Sequence, residues 1–219
     1  MIDYQIISTG SKGNAVVLND IILIDCGVSF KALTDVYKQI KIVLLTHIHS
    51  DHFNRTTLRL LAERRPTLRF ACCEWLIPDL LGHESGFGCG IPQQRIDVLE
   101  IGKIYDYGAF KVSPVKLYHD VPNCGYRLFF GKEKAFYATD TSTLAGITAK
   151  DYDLYLIEAN HEEGEIEKRI SEKKANGEFA YELRARKNHL SKEQCDAWVY
   201  ENIGNGEYVY LHQHQEKEI

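Results

Sequence analysis

The chain has 219 residues, of which 44% are hydrophobic and 26% are charged, and its formal net charge at pH 7 is -5. This length predicts one large domain over residues 1–219, and the composition is typical of a globular protein rather than a disordered one. The negative net charge excludes a general attraction to nucleic acid, so any phosphate binding must come from local cations.

Apolar runs separated by turn residues predict strands in the first quarter of the chain. An Asn-Asp pair at residues 19–20 lies between two of these runs and indicates a hairpin. Helical spacing after a serine predicts a helix from Ser29 to Ile40. The predicted strands are Tyr4 to Ser8, Ala15 to Leu18, Ile21 to Ile24 and Ile42 to Leu45.

A dense group of metal-type ligands follows the strand at residues 42–45. The segment Thr46-His47-Ile48-His49-Ser50-Asp51-His52 holds three imidazoles and a carboxylate. Side chains on a loop that leaves a buried strand converge on a point beyond the strand's carboxyl end. Zinc, manganese and iron accept imidazole nitrogen and carboxylate oxygen, so this loop predicts a catalytic site for two metal ions.

Strands and turns dominate the middle of the chain, and helices follow. A helix is predicted from Arg55 to Arg65, a strand from Leu68 to Ala71 and a glycine-rich loop from Gly82 to Pro92. The later strands are predicted at Phe110 to Leu117, Gly125 to Phe130, Lys134 to Ala138 and Asp153 to Ile157.

The last part of the chain alternates charged helices with one strand. Glu162 to Lys187 is predicted to form a solvent-facing helix followed by a basic turn. Ser191 to Asn202 is predicted to form a helix that begins at a serine cap, with Glu193 following, and Glu207 to Leu211 to form the last strand. The pattern predicts an α/β fold with four αββα layers, in which two mixed sheets lie face to face.

Single metal-type residues also stand where later apolar runs end. Asp25, His119, Asp140 and His212 each follow an apolar run. Because sandwich topology brings such strand ends to one edge, the repetition predicts a composite site.

These residues together resemble the metallo-β-lactamase superfamily, whose pattern is an early Asp, the motif H-x-H-x-D-H, and a later His, Asp and His. The resemblance spans nearly the whole chain. It implies one ion on His47, His49 and His119, a second on Asp51, His52 and His212, and Asp140 as the bridge. It further implies that Asp25 orients a ligand imidazole.

The segment Asn188-His189-Leu190-Ser191 resembles the phosphodiesterase branch that includes tRNase Z. The resemblance implies that His189 is the proton donor to the leaving group, and that Asp51 and Asp25 complete the catalytic set. General-acid help suits the expulsion of an alkoxide from a phosphodiester. The alternative for His189 is a solvent-exposed histidine at a helix N-terminus.

Further segments resemble the YycJ (WalJ) branch, whose members are thought to act on DNA. They begin at Ser8, Ile24 and Leu156. The resemblance implies that Asn14, Asn160 and His161 lie near the active edge as substrate-binding residues, although Asn160 and His161 also fit a simple turn. After His212 the chain departs from the expected pattern, so His214 stays an alternative ligand.

Arg184, Arg186 and Lys187 precede His189 and are candidates for binding the phosphates of a nucleic acid or nucleotide substrate. The alternative is a solvated face. The competing functions are carbonyl hydrolysis, as in lactamases or thioesterases, and a non-enzymatic metal-binding partner protein. His189 favours the phosphodiesterase, because carbonyl hydrolysis needs no donor there.

The expected cofactors are two divalent metal ions, with Zn²⁺ favoured and Mn²⁺ or Fe²⁺ as alternatives. The N-terminus lacks the features of a secretory signal, and no apolar run is long enough to cross a bilayer. A cytoplasmic protein without membrane partners is therefore expected. The sequence leaves the oligomeric state and the precise substrate open.

Overall fold

A computed structural model of the protein describes residues 1–82 and 88–213. The chain divides into two compact units, Met1–Tyr107 and Gly108–Ile219, and each has its own sheet. The predicted single domain over residues 1–219 stays a prediction. Residues 83–87 of the predicted loop lie outside the described residues.

The first unit contains a mixed six-stranded sheet in which neighbouring strands follow the chain order. Its first three strands pair antiparallel, with the predicted Asn-Asp turn between the second and the third, and the remaining pairs are parallel. The parallel part explains the continuous apolar runs, because such strands are buried on both faces. The strands are β1 (Tyr4–Ser8), β2 (Ala15–Leu18), β3 (Ile22–Ile24), β4 (Ile42–Leu45), β5 (Arg69–Cys73) and β6 (Ile96–Leu99), and a two-residue strand, β7 (Tyr105–Asp106), ends the unit.

Helix α1 (Arg55–Arg64) confirms the helix predicted after the histidine loop. Its N-cap is Asn54, whose side chain accepts a hydrogen bond from the Thr57 amide at 3.0 Å. Such a cap contributes about 1 kcal/mol to helix stability. A four-residue helix, α2 (Ile77–Leu80), was not predicted.

The helix predicted from Ser29 to Ile40 is wrong. Only Phe30–Leu33 is helical, as one 3₁₀ turn, and a series of turns follows. The Thr34 hydroxyl donates to the Lys31 carbonyl at 2.8 Å, which offers the backbone a local alternative to the helix.

The second unit contains a mixed sheet with the strand order β12-β11-β10-β9-β8. Strands β8, β9 and β10 pair antiparallel, whereas β10, β11 and β12 pair parallel. The carboxyl ends of the three parallel strands therefore meet at one edge. The strands are β8 (Lys111–Leu117), β9 (Asn123–Phe130), β10 (Glu133–Ala138), β11 (Leu154–Glu158) and β12 (Glu207–Leu211).

Three helices follow β11, and they correct one prediction. The predicted basic turn is helical, since the segment after α3 (Glu163–Ala175) forms α4 (Glu182–Asn188). Helix α5 (Lys192–Asn202) begins at Ser191 as predicted. Its capping box uses Gln194, whose side chain accepts from the Ser191 amide at 2.9 Å, rather than Glu193.

All six cysteines are buried as free thiols. None of the helices within residues 1–82 and 88–213 combines the length and apolar composition that a membrane span requires. The cytoplasmic location stays a prediction.

Candidate metal centre

Three of the predicted residues have a left-handed backbone at the end of a strand. Asp25 follows β3 with φ 58°, Asp140 follows β10 with φ 57°, and His212 follows β12 with φ 52°. Residues other than glycine rarely adopt this conformation, at a cost on the order of 1–3 kcal/mol each. Asn19, Asp20 and Asp151 share this conformation in turns, so it agrees with a functional role for the three strand-end residues without establishing one.

In the first unit, the loop after β4 gathers its histidines into one cluster. The amides of His52 and Phe53 both donate to the His49 carbonyl, at 2.9 and 2.8 Å, which folds the loop back on itself. The ring centroid of His47 lies 4.8 Å from that of His49 and 4.2 Å from that of His52. A Cβ at Gly27 would lie 1.7 Å from the Asp51 carbonyl oxygen, so only glycine allows this close approach.

Asp25 fixes the orientation of this loop from a fully buried position. Its Oδ1 accepts hydrogen bonds from the amide and the hydroxyl of Thr46, both at 2.9 Å, and its Oδ2 lies 2.7 Å from Nδ1 of His52. A carboxylate only accepts, so Nδ1 of His52 carries the proton and Nε2 presents its lone pair. This is the tautomer in which Nε2 can bind a cation.

Asn14 lies against the same histidine and is itself buried. Its Nδ2 is 2.8 Å from Nε2 of His52 and also donates to the Asp51 carbonyl at 3.2 Å. The amide donor confirms the acceptor state of Nε2, and Asn14 and a cation compete for that lone pair. Its proposed role in substrate binding stays a prediction.

In the second unit, Glu158 joins the residues that the sequence had singled out. It is fully buried at the end of β11. Its Oε1 lies 2.6 Å from Nδ1 of His189 and 3.0 Å from Nδ1 of His212. Its Oε2 accepts from the amides of Thr141 and Leu190, at 3.0 and 3.2 Å. Four donors therefore hold the carboxylate in one orientation.

Glu158 was not among the predicted site residues, although a signal was present. It follows the apolar run Leu154–Ile157 directly, much as Asp140 follows the apolar end of β10. The rule that identified the other strand-end residues applies to it equally.

Four side chains each offer one atom that could bind a metal ion, and these atoms all lie within 4.8 Å of one another: Asp140, Glu158, His189 and His212. Two ligands about 2.0–2.2 Å from one ion at a right angle are roughly 3 Å apart. The 2.6 Å between His189 and Glu158 is shorter than this and is a hydrogen-bond distance. His189 is therefore held by Glu158 through Nδ1, and its Nε2 is left for other chemistry.

His189 and Glu158 each stabilise the charged form of the other. Burial lowers the pKa of His189, but the carboxylates of Glu158 and Asp140 outweigh it and raise the pKa above its ordinary value. Burial raises the pKa of Glu158, yet the hydrogen bonds from His189 and His212 bring it below its ordinary value. The arrangement favours a protonated imidazole on an ionised carboxylate.

Both ring nitrogens of His119 face oxygen atoms. Its Nδ1 lies 3.1 Å from the Asn188 carbonyl oxygen, which accepts only, so the opposite ring contact fixes the orientation of the imidazole. Nε2 lies 3.9 Å from Oδ1 of Asp140 and 3.2 Å from Oδ1 of Asp120. Burial lowers the pKa of His119 more than the nearby carboxylates raise it, which favours the neutral form that binds a cation.

The remaining predicted residues surround the Glu158 cluster or lie on its outer face. Asn160 donates to the His212 carbonyl at 3.0 Å, whereas His161 is half-buried beyond the end of β11. Lys187 is exposed on α4, and Arg184 and Arg186 there pair with acidic residues, Asp120 and Glu167. His214, the alternative ligand, lies outside the described residues.

The donor set of each unit fits divalent cations. Imidazole nitrogens whose tautomers are fixed through the opposite ring atom, together with buried carboxylates, are the usual ligands of zinc, manganese and iron. The fit rests on His52 and Asp25 in the first unit, and on His119, Asp140 and His212 in the second.

A sequence model described as a β-lactamase superfamily domain matches residues 21–212. The chain belongs to this superfamily. Its members are metal-dependent hydrolases, and the histidine and aspartate clusters of the described residues agree with metal binding. None of the curated proteins matches the sequence significantly.

Several solved structures share the fold of the chain. The metallo-β-lactamase fold protein YhfI from Bacillus subtilis is 16% identical with a TM-score of 0.75, over 98% of this chain and 87% of its own. The short form of human tRNase Z is 18% identical with a TM-score of 0.68, over 98% and 93%. A diphosphatase of the PhnP family is 14% identical with a TM-score of 0.64, over 97% and 87%.

These similarities confirm the predicted fold class, the αββα sandwich of the metallo-β-lactamases, which the chain shares with the short form of human tRNase Z. The finer likeness to the YycJ (WalJ) branch stays a prediction.

Proposed function

We propose that this protein is a dinuclear metal-dependent phosphodiesterase of nuclease type. The observation that carries the proposal is the 2.6 Å hydrogen bond between His189 and Glu158, which holds a histidine beside metal-type ligands without making it one of them. A histidine placed in this way suits proton donation to a leaving group.

The proposed ligands follow the family pattern. His47, His49 and His119 are assigned to one ion, Asp51, His52 and His212 to the other, and Asp140 to the bridge. Two divalent cations held by these residues, with zinc favoured over manganese or iron, would supply hydroxide near neutral pH and would neutralise charge on a phosphoryl oxygen. Asp25 and Glu158 act through His52 and His189, which they orient.

His189 donates a proton to the departing oxygen in this proposal. Its Nδ1 is engaged by Glu158, so Nε2 is the donating atom. Alkoxides leave phosphodiesters slowly without such help, whereas the carbonyl hydrolysis of lactamases and thioesterases needs no donor at this place. The position of His189 therefore favours the diester.

A nucleic acid or nucleotide is the proposed substrate. The relation to human tRNase Z and to a PhnP-family diphosphatase supports a phosphorus-centred reaction. Arg184, Arg186 and Lys187 on the exposed face of α4 are the proposed contacts for flanking phosphates, which would compete with Asp120 and Glu167 for the two arginines. The net charge of -5 makes this local patch necessary.

The direct test is hydrolysis of bis(p-nitrophenyl) phosphate, a β-lactam and a thioester by protein reconstituted with zinc or manganese. We expect turnover of the diester alone, its loss with a chelator and its return with added metal. DNA, RNA and cyclic nucleotides then define the substrate. Turnover of the β-lactam or the thioester with an inert diester would contradict the proposal and leave His189 without its role.

A further inference from the structure

A cavity of about 270 Å³ opens beside the Glu158 cluster, within the second unit. It lies among residues 159–162 after β11, one face of α3 and the start of α4. Ligand sites for drug-sized molecules measure about 300–1,000 Å³, so this cavity suits a single flat ring system.

The cavity is lined by a buried acceptor. Glu182 is only 3% exposed, and its Oε1 accepts a hydrogen bond from Nζ of Lys173 at 2.6 Å. Its Oε2 is buried and has no hydrogen-bond partner among the residues that the structure describes. A buried polar atom without a hydrogen-bond partner costs about 1–3 kcal/mol, and more when the group is charged. A ligand that donates a hydrogen bond to this oxygen would remove that cost.

Glu182 is ionised at neutral pH. Burial raises the pKa of its carboxyl group, but the hydrogen bond and the charge of Lys173 outweigh burial and lower the pKa below its ordinary value. An ionised carboxylate accepts hydrogen bonds and donates none. Because Lys173 already compensates the charge, a neutral N–H donor fits better than a cation.

Two further side chains line the cavity beside Glu182. Tyr181 is about half exposed and contributes an aromatic ring; Nζ of Lys173 covers one face at 3.9 Å from the ring centroid, so a base can stack only on the other face. His161 contributes Nδ1, which is, after Oε2 of Glu182, the second buried polar atom of the lining without a hydrogen-bond partner in the described part of the chain. Two acidic and two basic side chains, Glu162, Glu165, Arg169 and Lys192, also line the cavity, and Arg169 pairs with Glu165 at 3.3 Å.

The cavity adjoins the proposed proton donor. Ala185 lines it, and the carbonyl of Ala185 accepts from the amide of His189 at 3.0 Å. Asn160 also lines it, and its side chain donates to the carbonyl of His212 at 3.0 Å. A group bound in the cavity is therefore next to the leaving-group side of the proposed reaction.

We propose that this cavity binds the nucleobase of the leaving-group nucleotide, and that Oε2 of Glu182 accepts a hydrogen bond from an exocyclic amino group. Adenine and cytosine present such a group. Uracil and hypoxanthine carry a carbonyl oxygen there, which the carboxylate repels. The inference rests on the proposed phosphodiesterase function and specifies its substrate class.

The test is calorimetric binding of mononucleotides to the metal-loaded protein, with CMP compared with UMP and AMP with IMP. These ligands contain no diester, so binding is measured apart from catalysis. We expect the amino-bearing base of each pair to bind about tenfold more tightly, as a hydrogen bond to a charged group implies. In Glu182→Gln, the carbonyl oxygen faces Lys173 and the amide nitrogen faces the cavity, so the preference should reverse.

Glu178→Gln is the matched control, because it makes the same change on the segment that joins α3 to α4, at an exposed residue that does not line the cavity. It should keep the wild-type preference. If Glu182→Gln does not fold, Ala185→Leu provides a second test, since the larger side chain fills the cavity and should weaken AMP and CMP binding at least tenfold.

Equal binding within both wild-type pairs, or a preference that Glu182→Gln leaves unchanged, overturns the inference. Failure to bind any of the four mononucleotides overturns it as well. A protein that prefers CMP and AMP yet leaves bis(p-nitrophenyl) phosphate intact contradicts the proposed function and keeps the cavity assignment.

Discussion

Nδ1 of His189 donates a hydrogen bond to Oε1 of Glu158 over 2.6 Å, at the carboxyl end of β11. The carboxylate cannot turn away, because the amides of Thr141 and Leu190 bind its second oxygen. Since the backbone itself holds Glu158 in place, it also holds the ring plane and the tautomer of His189. Glu158 is therefore the positioning residue of the proposed proton donor.

Replacing Glu158 by glutamine should lower both turnover and stability. All four groups around the carboxylate are donors, and an amide accepts through only one of its two ends. The variant leaves buried donors unsatisfied, at about 1–3 kcal/mol each, and misplaces His189. We expect diester turnover to fall at least 10²-fold, together with a lower melting temperature.

Steady-state kinetics and thermal unfolding measure the two effects of Glu158→Gln. The matched control is Glu167→Gln on the exposed face of α3, which should change neither quantity. A Glu158→Gln protein with wild-type turnover would refute the positioning role, whatever its stability.

His189→Ala should slow turnover according to the leaving group. A proton donor matters most for a poor leaving group, so cleavage of a dinucleotide should slow by about 10²–10⁴-fold and cleavage of a p-nitrophenyl diester much less. Metal content should stay at the wild-type level, because His189 contacts Glu158 rather than an ion in the proposed centre. Elemental analysis of the purified variant measures the metal.

Loss of metal in His189→Ala would show that His189 is a ligand. An equal loss of rate for both leaving groups would also exclude proton donation as its role.

Asp25→Asn should weaken metal binding without removing a proposed ligand. The asparagine amide donates where Asp25 accepts, so it favours the wrong tautomer of His52, with the proton on Nε2. Loss of such an orienting group weakens metal affinity by about 10–100-fold. Competition with a chromogenic chelator measures the affinity.

Asp20→Asn serves as the control for this change, since Asp20 is exposed in a left-handed turn that asparagine tolerates. It should bind metal as the wild type does. Unchanged affinity in Asp25→Asn would show that the loop holds His52 without help from the carboxylate.

Most strands could be predicted from the sequence, because the parallel strands of both sheets are continuous apolar runs. Sequence reasoning also located Asp25, Asp140 and His212, since a polar residue directly after such a run stands out. It missed the role of Glu158, whose partners His189 and Thr141 are distant in sequence and meet only in the fold. It also predicted too long a helix after Ser29. Local turns compete there with helical hydrogen bonds, and the spacing of apolar residues carries no information about that competition.

The stability that Glu182 contributes should disappear in acid. Its pKa is lower in the folded protein than its ordinary value, because the interactions with Lys173 outweigh burial. A carboxyl group of this kind stabilises the fold above its unfolded pKa, about 4.3, and loses that contribution as the pH falls through its folded pKa. Urea unfolding of the wild type and Glu182→Gln should therefore differ most near neutral pH and converge as the pH falls through the folded pKa of Glu182. Glu178→Gln, at an exposed residue, should follow the wild type throughout, and a gap for Glu182→Gln that persists or widens in acid would contradict the assignment.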